Sequence, residues 1–221
     1  HMLDQRFGIP PTLIEFTTLH SRDLSAYNVI ILANGSPTEP LSPAALPKLK
    51  EWVENGGTLI TTGSAYKLTN KAKITDFKTL SQGKKKEKVE GNAHIEYKPY
   101  HNTAKAKSGI EGVIFNCHLD ITSPLGYGYE NPNVAIMKNG TTVMDFSQIK
   151  GSSPMQYTKQ PYLSGCVSLE NIKRISNAPA SIVSECGKGN VIWFADDLNY
   201  RSYWFGGTKI FMNAIYFGQL Y

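Results

Sequence analysis

The sequence predicts an α/β fold: an open mixed, mainly parallel sheet flanked by helices. Three observations carry this. YNVIILANG (27–35) is a continuous apolar run, the pattern of a strand covered on both faces. LSPAALPKLKEWVENGG follows with helical periodicity and leads into a second strand-like run, TLITTG. The second half of the chain then changes to strand-rich segments with hairpin signals and finishes on an apolar, aromatic helix.

The elements are read in chain order. PTLIEFTTL (11–19) is short, β-branched and partly alternating, which predicts a strand before YNVIILANG. In the next segment Leu46, Leu49, Trp52 and Val53 share one helical face, prolines sit near its start, and Gly56-Gly57 supply the stop. Residues 27–62 therefore form a strand–helix–strand unit with parallel strands and a right-handed crossover. Further on, GVIFNCHLD, VAIMKNGTTVMDF and ASIVSECGKGNVIWFAD read as strands, with hairpin turns expected at Asn139-Gly140 and at Gly187-Lys188-Gly189. In YWFGGTKIFMNAIYFGQLY, the residues Ile210, Phe211, Ala214, Ile215 and Phe217 lie on one side of a helix that packs on the sheet.

With 221 residues and 41% hydrophobic content, the chain is expected to bury the core of a single domain over residues 3–221. No apolar run reaches the roughly 18 residues of a membrane helix, so no membrane span is expected. Three cysteines, Cys117, Cys166 and Cys186, are widely spaced and fit neither a disulfide framework nor a zinc ribbon, and read as small buried hydrophobes. The net charge of +5 belongs to one segment: between Lys67 and Lys107, eleven lysines face the four acids Asp76, Glu87, Glu90 and Glu96. That segment has little apolar periodicity, and residues 70–107 read as a lysine-rich, weakly packed excursion. Nucleic-acid binding favours arginines with interleaved stacking aromatics, and this run has almost none, so no nucleic-acid partner is expected.

The stretch GGTLITTGSAYKL places Ser64 on a strand-to-helix turn, where many α/β enzymes mount a nucleophile. A serine with no histidine beside it stays protonated and attacks poorly, and His20, His94, His101 and His118 lie in segments with no evident relation to this turn. Ser64 therefore reads as a turn or helix N-cap residue.

YNVIILANG, LKEWVENGG and TLITTG, followed by SPLGYGY and GKGNVIWFADDLNYRSYWFGG, resemble the class I glutamine amidotransferase-like domain, a flavodoxin-like fold. More narrowly, the combination resembles the C-terminal domain of zinc carboxypeptidases of the carboxypeptidase A type in Bacteroidetes and related bacteria. The resemblance implies a strand and a helix ahead of PTLIEFTTL, where only LDQRFG is present after the apparent cloning remnant His1-Met2. It also implies a cysteine in a G-x-C-x-G turn and a later His-x-Glu pair. The cysteine position falls on Gly63, and the pair falls near Ala195-Asp196-Asp197, which offers no imidazole. No histidine is followed three residues later by glutamate, so the zinc-binding pattern of a carboxypeptidase is not in this sequence.

The resemblance thus implies a non-catalytic accessory domain of a secreted or periplasmic enzyme. No cofactor is expected in this chain, zinc is expected in the parent's peptidase domain, and the partner is that catalytic domain of the same polypeptide. Two other readings remain: a small-molecule hydrolase or amidotransferase with a rearranged site, and a carbohydrate- or peptide-binding module using Tyr200, Tyr203 and Trp204. If NVIWFA runs parallel to the first two strands, Asn34, Ser64, Asp196 and Asp197 share one edge of the sheet and line a vestigial polar crevice. Arg201 is the nearest cation to compensate the two aspartates. The same residues fit a structural network or, less simply, a metal site.

Overall fold

The computed structural model describes residues 2–35, 42–80, 109–145 and 151–221. Its central sheet has four strands, β1 (Val29–Leu32), β2 (Thr58–Thr62), β9 (Gly189–Phe194) and β8 (Ser181–Cys186), in that spatial order. β1, β2 and β9 are mutually parallel, and β8 closes the far edge antiparallel to β9. The expected strand–helix–strand unit is present: helix α1 (Ala45–Glu54) connects β1 to β2. Its buried stripe is Ala45, Leu49, Trp52 and Val53, and Gly56, at φ 117°, turns the chain out of the helix. Gly57 has no room for a side chain, because a Cβ there would run into the indole of Trp52, whose Nε1 donates to the Tyr27 carbonyl at 3.0 Å.

Strand alternation divides the core into two layers. Leu59, Val191 and Trp193 face α1 and the short helix α2 (Tyr66–Lys71), while Ile60, Ile192 and Phe194 face the opposite layer. That layer contains α4 (Thr208–Phe217), through Ile210, Phe211 and Ala214, and a three-stranded antiparallel sheet. The second sheet is ordered β5 (Asn133–Lys138), β4 (Val113–Leu119), β7 (Met155–Ser164). A short helix α3 (Leu169–Ile175), capped by the Ser168 hydroxyl accepting from the Asn171 N–H, follows β7.

Several expectations need correction. PTLIEFTTL is not a strand: residues 8–15 have no regular structure, and Phe16–Thr18 form a 3-10 turn. The strand-rich second half does not simply extend one mixed sheet, since β4, β5 and β7 form a separate three-stranded sheet, linked to the segment before β8 by an isolated bridge between Gln156 and Pro179. The Asn139-Gly140 turn joins β5 to β6 (Met144–Asp145), but β6 pairs with β3 (Lys78–Thr79) instead of folding back as a hairpin. The Gly187-Lys188 hairpin is as expected, with Cys186 opposite Gly189 and Gly187 at φ 64°.

The beginning of the lysine-rich segment belongs to the core. Phe77 is buried and lies 5.0 Å from Trp193 ring to ring, and Ile74 is buried in the same cluster. The Asn70 side chain holds this turn by accepting from the Phe77 N–H and donating to the Phe77 carbonyl. The rest of the proposed excursion, residues 81–107, lies outside the described residues. Cys117 is buried as expected, but Cys186 is half-buried and Cys166 is exposed; all three are free thiols.

Candidate functional site

β1 and β2 end side by side, and the turns that follow them, together with the segment after β9, meet at one edge of the sheet. A crevice of about 820 Å³ opens there. Its polar mouth is formed by Asn34, Thr62, Asp197 and Asn199. Ligand crevices of open α/β sheets lie in this position, outside the carboxyl ends of parallel strands. The Asn199 Oδ1 is buried at this mouth without a hydrogen-bond partner.

The turn after β2 opens on a left-handed glycine packed against Asn34. Gly63 has φ 53°, in the left-handed region, and its carbonyl accepts from Trp193 Nε1 at 2.9 Å. A Cβ at Gly63 would overlap the side-chain amide of Asn34. Asn34 Oδ1 in turn accepts from both the Ser64 N–H (2.9 Å) and the Ser64 hydroxyl (3.0 Å). The space into which a residue-63 nucleophile would project is therefore filled by Asn34, and the Ser64 hydroxyl donates to an amide instead of to a base. Ser64 is a turn residue; Ala65 occupies the N-cap position of α2.

The five residues expected to form one crevice separate in the structure. Asn34 and Asp197 line it, and Ser64 is tied to it through Asn34. Asp196 does not belong to it, because successive side chains at the end of a strand alternate between faces. Asp197 faces the mouth, whereas Asp196 points into the core and is 3% exposed. Arg201 pairs with neither aspartate. It lies at φ 51° beside Ser202 at φ 59°, two consecutive left-handed residues that turn the chain sharply, and its guanidinium stacks 5.3 Å from the Tyr200 ring centre. Arg6 Nη2 supports this turn by donating to the Ser202 carbonyl at 2.7 Å.

The compensating cation for Asp196 comes from far away in the sequence. Lys138, fully buried at the end of β5, donates to Asp196 Oδ1 at 2.8 Å and to the Thr142 carbonyl at 2.7 Å. The Tyr157 hydroxyl, from β7, donates to Asp196 Oδ2 and lies 3.4 Å from the Lys138 ammonium. Burial, followed by the neighbouring Asp196 charge, pushes both the Tyr157 phenol and the Cys117 thiol well above their ordinary values. This network joins the antiparallel sheet to the end of β9. The sequence contained a signal for it: Val134, Ile136 and Lys138 alternate on one face of β5, as Met155 and Tyr157 do on β7, and alternation puts both polar residues inward.

The aromatic segment 200–205 is partly engaged. Trp204 Nε1 donates to the Ala135 carbonyl and the Tyr203 hydroxyl to the Met137 sulfur, while Tyr203 and Phe205 keep exposed faces. Among the described residues no three His, Cys, Asp or Glu side chains converge where they could hold a metal, and no helix is long and apolar enough to cross a membrane. His118 lies on the antiparallel sheet and His20 beside Lys48; His94 and His101 are outside the described residues.

No protein-family model matches the chain, and no curated protein sequence matches it. Solved structures do. A cytoplasmic protein of Salmonella typhimurium is 16% identical, with a TM-score of 0.53 over 96% of this chain and 82% of its own. A ThuA-like protein of Bacteroides uniformis is 12% identical, with a TM-score of 0.51 over 96% of this chain and 78% of its own. A ThuA-like protein of Parabacteroides merdae is 13% identical, with a TM-score of 0.50 over 85% of this chain and 66% of its own. At these identities the likeness concerns the fold. The chain shares with these structures a mixed α/β, flavodoxin-like architecture with a mainly parallel sheet flanked by helices.

Proposed function

We propose that the chain is a non-catalytic accessory domain, with a degenerate amidotransferase-like site, of a secreted or periplasmic zinc carboxypeptidase. The observation that carries the non-catalytic part is the exchange at the turn after β2: glycine stands at the nucleophile position, and the Asn34 amide occupies the space its side chain would need. A cysteine or serine nucleophile also requires a base within hydrogen-bond reach, and among the described residues the Ser64 hydroxyl meets Asn34 and no base. The carboxypeptidase parent is supported by the resemblance of GKGNVIWFADDLNYRSYWFGG, and it brings with it the catalytic domain as partner and zinc in that domain alone. The experiment is turnover of glutamine and simple esters by the chain and by Ser64→Ala. The proposal expects no turnover above the buffer rate from either, and activity that disappears in Ser64→Ala overturns it. Co-purification of the chain with the parent's peptidase domain is expected as well, and failure to associate removes the accessory role while leaving the non-catalytic reading intact.

The unpaired Asn199 Oδ1 at the crevice mouth favours a second reading, in which the domain keeps a polar binding site there. A buried acceptor without a donor costs about 1–3 kcal/mol, and a ligand N–H or O–H would recover it. Thermal-shift screening of amides and sugars against the chain and Asn199→Ala tests this. Stabilisation that is lost in the variant supports the site, and an identical response of both proteins removes it.

A further inference from the structure

The segment YRSYWF (200–205) places four aromatic side chains within six residues, shortly before α4. Large rings normally bury most of their surface. Trp204 does so in part, donating its Nε1 to the Ala135 carbonyl on β5, and Gly206 lies so close to the same carbonyl that a Cβ would not fit. The Tyr203 hydroxyl adds a second tie to β5 through the Met137 sulfur. The segment is thus fixed in place, yet Tyr203 and Phe205 stay 53% and 67% exposed. Two arginines frame these rings. The Arg6 guanidinium lies 4.5 Å from the Phe205 ring centre and that of Arg201 lies 5.3 Å from the Tyr200 ring centre. Tyr200 in turn meets Tyr203 edge to face, with ring centres 6.0 Å apart. Neither arginine forms an ion pair among the described residues.

A guanidinium stacked on a ring uses its face and keeps its rim of N–H donors for another partner. Arg6 gives one of these donors to the Ser202 carbonyl, and Arg201 gives none to a described residue. Stacking also restricts rotamers that would otherwise be lost on binding, so both rims are preorganised. The backbone adds to this: Arg201 and Ser202 are consecutive left-handed residues without glycine, a strained turn of the kind that gathers at recognition sites. What the patch leaves open decides its complement. One face of Phe205 and one of Tyr200 are taken by guanidinium groups, and the Tyr200 and Tyr203 rings stand at 75° to each other, so no flat platform is offered to a base or a sugar. Two positively charged rims beside exposed ring edges remain. Planar carboxylates fit such rims with two hydrogen bonds each, and apolar side chains cover the rings. Arginine and aromatic residues are also those that dominate contacts between proteins. Five residues are far fewer than the roughly 20–30 per side of a standard interface, so the patch fits a short segment and not a domain face.

We propose that Arg6, Tyr200, Arg201, Tyr203 and Phe205 form a docking surface for a protein segment that carries carboxylates next to an aromatic or aliphatic side chain. The carboxylates bind the rims of Arg6 and Arg201, and the apolar side chain lies against Phe205 and Tyr203. The proposal requires neither a carboxypeptidase parent nor a ligand in the crevice.

Fluorescence anisotropy with a labelled glutamate–tyrosine copolymer tests it on the whole chain, with polyglutamate of equal length and polyuridylate as comparison probes. The copolymer is expected to bind about tenfold more tightly than polyglutamate, because contact with the rings adds to the charge. Arg201→Ala and Phe205→Ala should each weaken copolymer binding about tenfold, with Tm unchanged because both side chains are exposed. Arg201→Lys keeps the charge but not the planar fork, and should lose nearly as much as Arg201→Ala. Copolymer binding that is the same in Arg201→Ala and Phe205→Ala as in the parent would place it on the lysines between Lys67 and Lys107, and overturns the proposal. So does the absence of copolymer binding, equal binding of polyglutamate, or full binding by Arg201→Lys. Tighter binding of polyuridylate than of the copolymer would make the patch a nucleic-acid surface and overturn it as well.

Discussion

Replacing Lys138 by methionine removes the ammonium from a carboxylate that is 3% exposed and leaves Asp196 with the Tyr157 hydroxyl as its remaining side-chain partner. Methionine fills nearly the same volume, so the loss is electrostatic and not a cavity. Breaking a buried ion pair from one side costs about 3–5 kcal/mol, because the remaining charge cannot be solvated. In a chain of this size each kcal/mol lowers Tm by roughly 2–4 °C, so Lys138→Met should melt about 6–20 °C below the parent. Removing the whole network should recover most of this. The triple variant Lys138→Met, Asp196→Leu, Tyr157→Phe leaves no unpaired polar side-chain atom among the three residues, and should come within about 2 kcal/mol of the parent. Urea unfolding followed by tryptophan fluorescence and by far-UV circular dichroism reads all variants, since Trp193 is fully buried next to the network's layer. The reasoning is refuted if Lys138→Met costs less than about 1 kcal/mol, or if the losses from Lys138→Met and Asp196→Leu simply add.

Other outcomes follow from the same geometry. Gly63→Ala forces a Cβ into the Asn34 amide at a left-handed backbone position, and should destabilise by about 2–3 kcal/mol; Asn34→Ala in the same chain should relieve part of it, and equal stability of Gly63→Ala and the parent would contradict the packing. Phe77→Ala should cost about 3–5 kcal/mol because the ring is buried against Trp193, and a loss below about 1 kcal/mol in urea unfolding would return residues 70–80 to the surface excursion. Folded-state values raised for the Tyr157 phenol and the Cys117 thiol mean that the native protein holds these protons more tightly than the unfolded chain. Stability from each is complete below its ordinary value, 10.0 for the phenol and 9.0 for the thiol, and is lost as pH rises beyond it, by about 1.4 kcal/mol per pH unit per group. Tm measured from pH 8 to 11 should therefore fall with increasing steepness, and Cys117→Ala should remove the earlier part of the fall.

The β1–α1–β2 unit was legible because each of its signals is local: an unbroken apolar run, a helical stripe ending at Gly56-Gly57, and a second run. The Gly187-Lys188 turn was legible for the same reason. PTLIEFTTL was misread because its β-branched composition records a preference for an extended backbone, while strand formation needs a pairing partner, and none among the described residues pairs with residues 12–14. At Asn139-Gly140 the turn residues were read correctly, but β6 found its partner in β3, more than sixty residues earlier, a choice made by packing on Phe77 and Met144 and not by the turn. At the candidate site, that the cysteine position implied by the resemblance falls on Gly63 was visible by counting from the strand. The pairing of Asp196 was not, since sequence proximity favoured Arg201, whereas the partner is set by which strand ends meet in space. Reading inward and outward positions on VAIMK and MQY would have exposed Lys138 and Tyr157 as buried polar residues in need of partners.

The central claim is that the turn after β2 carries no working nucleophile. Its most direct test is covalent labelling of the chain with a fluorophosphonate and with a glutamine-derived electrophile, read by intact mass and peptide mapping. The account predicts no adduct on Ser64 under conditions in which a working serine or cysteine hydrolase is labelled to completion, because the Ser64 hydroxyl is held by Asn34 and meets no base among the described residues. Stoichiometric modification of Ser64, abolished in Ser64→Ala and faster in Asn34→Ala, would contradict it.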